Sequence, residues 1–349
     1  MEMTRLSKFF LETLHATLRG SSLDYGSRNG EIALALECAF ADHRISNTTS
    51  TVESHYVSTG QELAQTFDSI ILTAQFSTAL NLQLVRELLS VLGPGRRLYV
   101  LLDRGYTITP FDELMIPYHV DESPGGEKVL TFTRWDGPID AKEKPARYII
   151  KSGEMELTLQ GGVGVFSHEA LDAGTRVLMD VVEWKPGKVL DLGCGNGVVG
   201  LFAQAQGATH VTMLDSDLRA LRWARENAER NHFCGSVVAA DGLKLLDAAT
   251  KFDLIVTNPP YHSDYSVAKG FIEDGYRALE TGGALWLVVK NPDWYRNKLR
   301  TVFGGSRLIE RDGYVVIAAE KRAGMHKPLK EQKTTRKHEK KMASSRKGK

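Results

Sequence analysis

The sequence predicts an α/β protein in which one fold is written twice in tandem, and three observations carry that expectation. The 349 residues exceed what one hydrophobic core usually organises, so two domains of about 150 residues each are the ordinary solution. The second half alternates short apolar runs with helical stretches, the pattern of a mostly parallel sheet with helices on its faces. Finally, LDYGSRNGEIALAL at 23–36 returns 167 residues later as LDLGCGNGVVGLFA, agreeing at Leu, Asp, Gly, Asn, Gly and a later Leu. We read that repetition as the trace of a duplication.

Taken in order, the N-terminal MEMTRLSKFFLETLHATL spaces Leu6, Phe9, Phe10, Leu14 and Leu18 as an amphipathic helix. Its Glu2, Glu12 and His15 set it apart from a secretory signal. The 23–36 stretch is a glycine turn opening a helix, DSIILTAQF (68–76) a strand, and LLSVLGPGRRLYVLL (88–102) a helix end, a turn and a further strand. PIDAKEKPARYIIKSGEMELTLQG (138–161) begins as a charged, proline-bounded linker and becomes strand-like, which sets a domain boundary near residue 145. The second copy is clearer. KVLDLG (188–193) is a strand ending in a glycine turn, VVGLFAQAQ a helix, HVTMLDSD (210–217) a strand and LRALRWARENAERN a helix. FDLIVTNPPY then runs from strand into loop, FIEDGYRALE is a helix, GGALWLVVK a strand, and 307–322 an antiparallel hairpin closing the sheet. The expected units are therefore 1–145, 146–322 and a tail at 323–349.

Composition narrows the class. No apolar run approaches the ~20 residues of a membrane span. Cys38, Cys194 and Cys234 are odd in number and lack C-x-x-C spacing, so neither a disulfide framework nor a metal site is expected and a reducing cytoplasm fits. From Lys321 onward there are 12 Lys/Arg against 2 Glu, leaving 32 basic and 41 acidic residues elsewhere; the body is about −9 and the tail about +10. With so few large apolar residues, the tail reads as a disordered basic arm suited to a phosphate backbone, or more blandly as a solubilising terminus. The oligomeric state is left open, a monomer being the simpler expectation.

The chemistry concentrates at the ends of the second copy's strands. Asp191-Leu-Gly193-Cys194-Gly195-Asn196-Gly197 joins strand to helix where parallel sheets open a ligand crevice. Its glycines let a ligand approach the backbone closely. The spacing is not the G-x-G-x-x-G of dinucleotide binders, since position 198 is Val, and the leading aspartate would repel a pyrophosphate but suits a cationic amino-acid end. Asp215 closes the next strand, where a carboxylate can grip both hydroxyls of a ribose, and Asp241 ends the third, able to accept from an adenine amine or to serve as a turn residue. Asn258-Pro259-Pro260-Tyr261 could be a mere strand terminator. It also supplies two acceptors for the N–H groups of an exocyclic amine, the Asn258 side-chain oxygen and the Pro259 carbonyl, with Tyr261 as a face on which a base stacks. Holding that amine in line with an electrophilic methyl needs no metal.

At these residues the chain resembles a known family. D-L-G-C-G-N-G with N-P-P-Y at this separation is similar to the class I S-adenosylmethionine-dependent amino methyltransferases, which implies two tandem Rossmann-like domains, the first degenerate. Over nearly the whole chain, the order of degenerate domain, linker and active domain resembles the bacterial rRNA guanine-N2 methyltransferases of small-subunit RNA, with a large-subunit sister group. GVGVFSHEALDAGTRVLMD (162–180) resembles that family's approach to its cofactor site. The resemblance implies Phe166 and Ser167 over the methionine end, Asp172, Gly174 and Thr175 nearby, and His262 after Tyr261. The family more often has Phe where this chain has Tyr261, a residue also found in adenine- and protein-glutamine-methylating relatives.

The resemblance further implies that the first copy has lost the cofactor. Arg28 replaces the middle glycine with a cation, and TAQF (73–76) replaces TNPPY. The expected activity is methyl transfer to guanine N2 in ribosomal RNA. An adenine-N6 methyltransferase on RNA or DNA, a protein glutamine methyltransferase and a non-catalytic RNA-binding scaffold stand as alternatives; the scaffold has no reason to keep Asp191, the glycines, Asp215 and Asn258 together.

Overall fold

The computed structural model describes residues 3–14, 17–18, 20–27, 30–42, 44, 54–57, 63, 67–152, 154–243, 246–247, 249–260 and 265–324. The sequence assignments to Arg28, Tyr261 and His262, and all but the first residues of the basic tail, lie outside them.

The first half contains helix α1 (Arg5–Leu14), β1 (Ser22–Tyr25), α2 (Glu31–Leu36), β2 (Ala39–Asp42), β3 (Ser54–Tyr56), β4 (Ser69–Thr73), α3 (Thr78–Val91), β5 (Arg97–Leu102), β6 (Tyr118–Glu122) and β7 (Lys128–Thr133). Its strands form one sheet in the order β3-β2-β1-β4-β5-β7-β6, with β7 antiparallel to both neighbours. A hairpin, β8 (Ala146–Ser152) and β9 (Met155–Gly161), stands between the halves as a separate two-stranded sheet.

The second half follows with α4 (Ala173–Val181), β10 (Lys188–Leu192), α5 (Val198–Ala205), β11 (His210–Asp215), α6 (Leu218–Arg230), β12 (Ser236–Ala239), β13 (Phe252–Thr257), α7 (Ser266–Ala278), β14 (Leu279–Val289), α8 (Asp293–Phe303), β15 (Arg307–Arg311) and β16 (Tyr314–Glu320). Its sheet runs β12-β11-β10-β13-β14-β16-β15, the first sheet's order strand for strand. In both, β16 or its counterpart β7 is the antiparallel insertion. The duplication read from 14 residues therefore extends to the whole topology.

The central strands are apolar because both faces are covered. Val189, Leu254, Val256, Trp286 and Val288 pack against α4 and α5, while Leu190, Leu192, Ile255, Leu285 and Leu287 pack against α7 and α8. Burying each such side chain contributes roughly 1.5–3 kcal/mol. In the first half α3 covers one face, and α1 closes the other with Leu6 and Phe10, one helical turn apart, beside Ile71, Tyr99 and Leu101.

Two assignments shift. The expected helix FIEDGYRALE gives up its last residues to β14, because Leu279 already pairs with Phe252 before a register shift. Helix α8, with Pro292 at its N-cap, went unread as a helix although Tyr295, Leu299, Val302 and Phe303 carry its buried stripe. Among the described residues no helix is long and apolar enough to cross a membrane.

The halves are joined by buried charge. Arg219 in α6 and Glu87 in α3 are each 1% exposed and meet through two hydrogen bonds of 3.0 and 3.2 Å. Glu143, just before β8, bridges Arg219 and Arg222. Asn227 of α6 clasps β9, donating to the Gln160 carbonyl and accepting from its N–H, both at 2.8 Å.

Candidate active site

Sheet order decides where the chemistry collects. Neighbouring strands β10 and β13 connect in opposite directions, so their C-terminal loops open a crevice at the switch point. Register then aligns the loops: Asp191 pairs with Val256 on one side and Met213 on the other, and Asp215 pairs with Ala239. The glycine loop, Asp215, Asp241 and Asn258 thus leave the sheet along a single edge. Asp241 lies two residues past β12 rather than at its end.

The loop is pinned from below: Gly193 and Cys194 donate to the Leu214 carbonyl at 2.8 and 3.0 Å, and Gly197 to Cys194 at 2.9 Å. Gly195 and Gly197 both have left-handed backbones, with φ of +56° and +87°, for different reasons. A Cβ on Gly197 would meet the Met213 sulfur at 2.9 Å, so that glycine is needed for packing. A Cβ on Gly195 would find nothing nearer than the Phe166 carbonyl oxygen at 4.0 Å, so this side opens into the crevice. Cys194 is buried, which pushes its thiol well above the ordinary range and keeps it neutral.

Asp191 does not stand in the crevice as the sequence reading had it. It is 2% exposed, and its Oδ2 accepts from the Gly200 N–H of α5 at 2.8 Å. Burial raises its carboxyl to about 7, with the charge of Asp215 adding to the effect. Asp24, its counterpart in the first copy, does the same for α2: Oδ2 accepts from Ala33 N at 2.8 Å, and burial lifts that carboxyl to about 7 as well. Because both copies keep this bond, the repeated aspartate reflects the anchoring of helix to strand.

Asp215 is the acid that faces the loop. It accepts from Gly195 N at 2.8 Å through Oδ2 and from Asp217 N at 2.9 Å through Oδ1, leaving further lone pairs for a ligand. Burial raises its carboxyl too. Asp217, which the sequence reading passed over despite its N-cap position before α6, accepts from Arg219 N at 2.8 Å; burial and then the charge of Asp215 raise it to about 7. Asp191, Asp215 and Asp217 form an acidic floor whose mutual repulsion a cationic ligand would relieve.

Facing them is the 162–175 segment. Phe166 is 54% exposed. Ser167 holds a left-handed φ of +59° and accepts from Asn196 Nδ2 through its carbonyl at 3.4 Å. Asn196 also donates to the Tyr148 hydroxyl at 2.8 Å, tying β8 to the glycine loop, a link with no local sequence signal. Asn258 sits where β13 ends, and its Nδ2 donates to Thr175 Oγ1 at 2.9 Å and Asp172 Oδ2 at 3.2 Å. Pro259 is buried and Pro260 exposed. Beyond the undescribed 261–264 stretch, Tyr265 stacks on Trp294 with ring centroids 4.5 Å apart, an aromatic pair the sequence reading missed.

Among the described residues, the corresponding edge of the first copy has a filled corner. The Gln75 carbonyl, at the position of Pro259, accepts from Asn81 Nδ2 at 2.9 Å and from the Tyr106 hydroxyl. A Cβ on Gly26, the counterpart of Gly193, would meet Gln75 Nε2 at 2.7 Å, so a glutamine side chain occupies that corner. Arg44 holds this glutamine from the other end at 2.9 Å.

These features define a Rossmann-like transferase site, and comparison with known proteins gives the same class: residues 156–318 match the methyltransferase small domain family. Over 261 residues the chain is 28% identical to the ribosomal RNA small subunit methyltransferase C of Aeromonas hydrophila, covering 71% of this chain and 75% of that one. It is 31% identical over 229 residues to the ribosomal RNA large subunit methyltransferase G of Streptomyces avermitilis, covering 62% and 60%. The match to methyltransferase C of Shewanella halifaxensis, at 33% identity, spans about half of that relative (48%) and 46% of this chain. A solved structure, the T. thermophilus 16S rRNA N2 G1207 methyltransferase in complex with AdoMet and guanosine, superposes with a TM-score of 0.82 over 91% of this chain and 92% of that one, at 22% identity. The chain is thus similar to the ribosomal RNA methyltransferases C and G, carries a stretch that matches the methyltransferase small domain, and shares the tandem-domain fold of the solved 16S rRNA enzyme.

Proposed function

We propose that this protein transfers a methyl group from S-adenosylmethionine to the exocyclic N2 amine of a guanine in ribosomal RNA of the small subunit, in the cytoplasm. The observation that carries the reading is the orientation of Asn258. Nδ2 donates to Asp172 and Thr175, so the amide turns Oδ1, the acceptor that an amine N–H requires, to the opposite side.

The residues fit the cofactor. Gly195 leaves open space where a side chain would intrude, Asp215 retains acceptor capacity for ribose hydroxyls, and the acidic floor suits a positively charged sulfonium and ammonium. In this reading Phe166 and Ser167 cover the methionine end, Gly193, Cys194, Gly195 and Gly197 cradle it through their backbone, Asp215 holds the ribose and Asp241 the adenine. Asp191 contributes by anchoring α5 beneath the loop. When bound, S-adenosylmethionine would supply an electrophilic methyl for the amine lone pair, its sulfur retaining the electron pair of the C–S bond and the amine proton going to water.

The chain's own part is positional. Asn258 Oδ1 and the Pro259 carbonyl accept the two N–H groups and localise the lone pair, the two prolines stiffen the turn, and Tyr261 stacks the extruded base. The 1–145 unit, a corner of its crevice filled by Gln75, binds no cofactor, braces the 146–322 unit and presents surface to RNA. The basic tail from 321 contacts RNA phosphates. The chain works as a monomer.

The test is mass spectrometry of rRNA nucleosides from cells lacking the gene. One N2-methylguanosine should disappear and return with wild type but not with Asn258→Ala. A missing N6-methyladenosine instead would change the base, and an unaltered nucleoside profile would remove RNA as the substrate.

A further inference from the structure

Asp172 caps α4, accepting from Thr175 N at 2.8 Å. A cap needs no more than that, and serine would serve. Yet Asp172 Oδ2 takes two further donors, Thr175 Oγ1 at 3.2 Å and Asn258 Nδ2 at 3.2 Å, the latter from a residue 86 positions away. Thr175 gives its hydroxyl hydrogen to Asp172, so its oxygen lone pair is what meets Asn258 Nδ2 at 2.9 Å.

A carboxamide has two orientations of nearly equal shape that exchange its oxygen and nitrogen. Here both partners of its inward end are acceptors, one of them a carboxylate. The flipped amide would set Oδ1 against Asp172 Oδ2, losing two hydrogen bonds and adding repulsion. We propose that Asp172, with Thr175, is a positioning residue that locks the Asn258 amide with its oxygen toward the reacting amine. This rests on the proposed role of Asn258 and deepens it.

Asp172 is itself held in place. Its backbone N–H donates to Ser167 Oγ at 3.2 Å, and the Ser167 carbonyl accepts from Asn196 of the glycine loop. One connected chain of hydrogen bonds therefore sets the amide and steadies the loop. Gly174 belongs to the device as well: a Cβ there would lie 2.8 Å from the Tyr314 ring and 3.1 Å from Asp172 Oδ2.

The experiment is a double-mutant cycle on the full chain with S-adenosylmethionine and small-subunit RNA. Asp172→Ser keeps an acceptor for the cap and removes the carboxylate. It should lower kcat about 10- to 100-fold with KM, cofactor Kd and melting temperature close to wild type. In the Asn258→Ala background the same change should cost no further turnover, because the group it positions is gone. Thr175→Val, which retains the capping N–H, should lower kcat in the same way, and Thr175→Ser should restore it. If Asn258→Ala kills turnover while Asp172→Ser and Thr175→Val leave it intact, or if the losses multiply in the double variant, Asp172 is a helix cap only. If Asn258→Ala itself leaves turnover unchanged, the role of Asn258 falls first.

Discussion

Asp24 and Asp191 show what single residues contribute here. Each is buried, each holds the helix that follows its strand, and each titrates near pH 7 instead of near 4 because burial disfavours the anion. A carboxyl whose folded pKa is raised binds its proton more tightly when folded. Its stabilising contribution is complete below the unfolded value near 4 and is lost as pH rises through 7. Stability should therefore decline between pH 5 and 8. Asp24→Asn, which keeps an acceptor for Ala33 N–H without an ionisable group, should flatten that decline by roughly 1.4 kcal/mol per pH unit over the lower part of the range, where only the folded carboxyl is protonated, and by progressively less above pH 7. Thermal melts of both proteins at pH 5, 6, 7 and 8 check this, and parallel curves would refute it. The acidic floor yields a second expectation: a cationic cofactor lowers these raised carboxyls, so its binding near pH 7 should release protons. Calorimetry in buffers of different ionisation enthalpy reads that number directly.

Among the elements, the loop from β10 to α5 separates two uses of glycine. Gly197→Ala should destabilise the fold by about 1–3 kcal/mol through its clash with Met213, on top of its backbone strain. Gly195→Arg, which writes the first copy's residue into the second, should leave melting within about 2 kcal/mol of wild type yet abolish S-adenosylmethionine binding by calorimetry. Retained binding would mean that the open side of Gly195 is not where the ligand lies. Strand and helix identities were legible because period-2 and period-3.6 apolar spacing are local properties. Helix α8 was missed because Pro292 just before it reads as a breaker, although proline is well tolerated at a helix start.

Across the whole molecule, the two halves meet through a desolvated ion pair rather than a loose linker. Glu87→Ala would strand Arg219 without its bidentate partner, for a cost of about 3–5 kcal/mol that urea unfolding would measure. If the first half braces the second, Glu87→Ala should also weaken cofactor binding, since Arg219 lies at the start of the helix that Asp217 caps, beside Asp215. Removal of residues after Lys321 should weaken RNA binding and lower the slope of log K against log salt, measured from about 50 to 200 mM; an unchanged slope would leave the tail a solubility device.

By itself the sequence determined the α/β alternation, the duplication, the glycine loop and the Asn258-Pro259-Pro260 turn, because each is written in neighbouring residues. The tertiary structure decided which way those residues face. It turned Asp191 inward, assigned Asp217 to the acidic floor, filled a corner of the first crevice with Gln75, and brought Asp172 to Asn258 and Glu87 to Arg219. Those last two pairings span 86 and 132 residues. Strand order and register create them, and no spacing along the chain encodes a contact that exists only once a sheet has assembled.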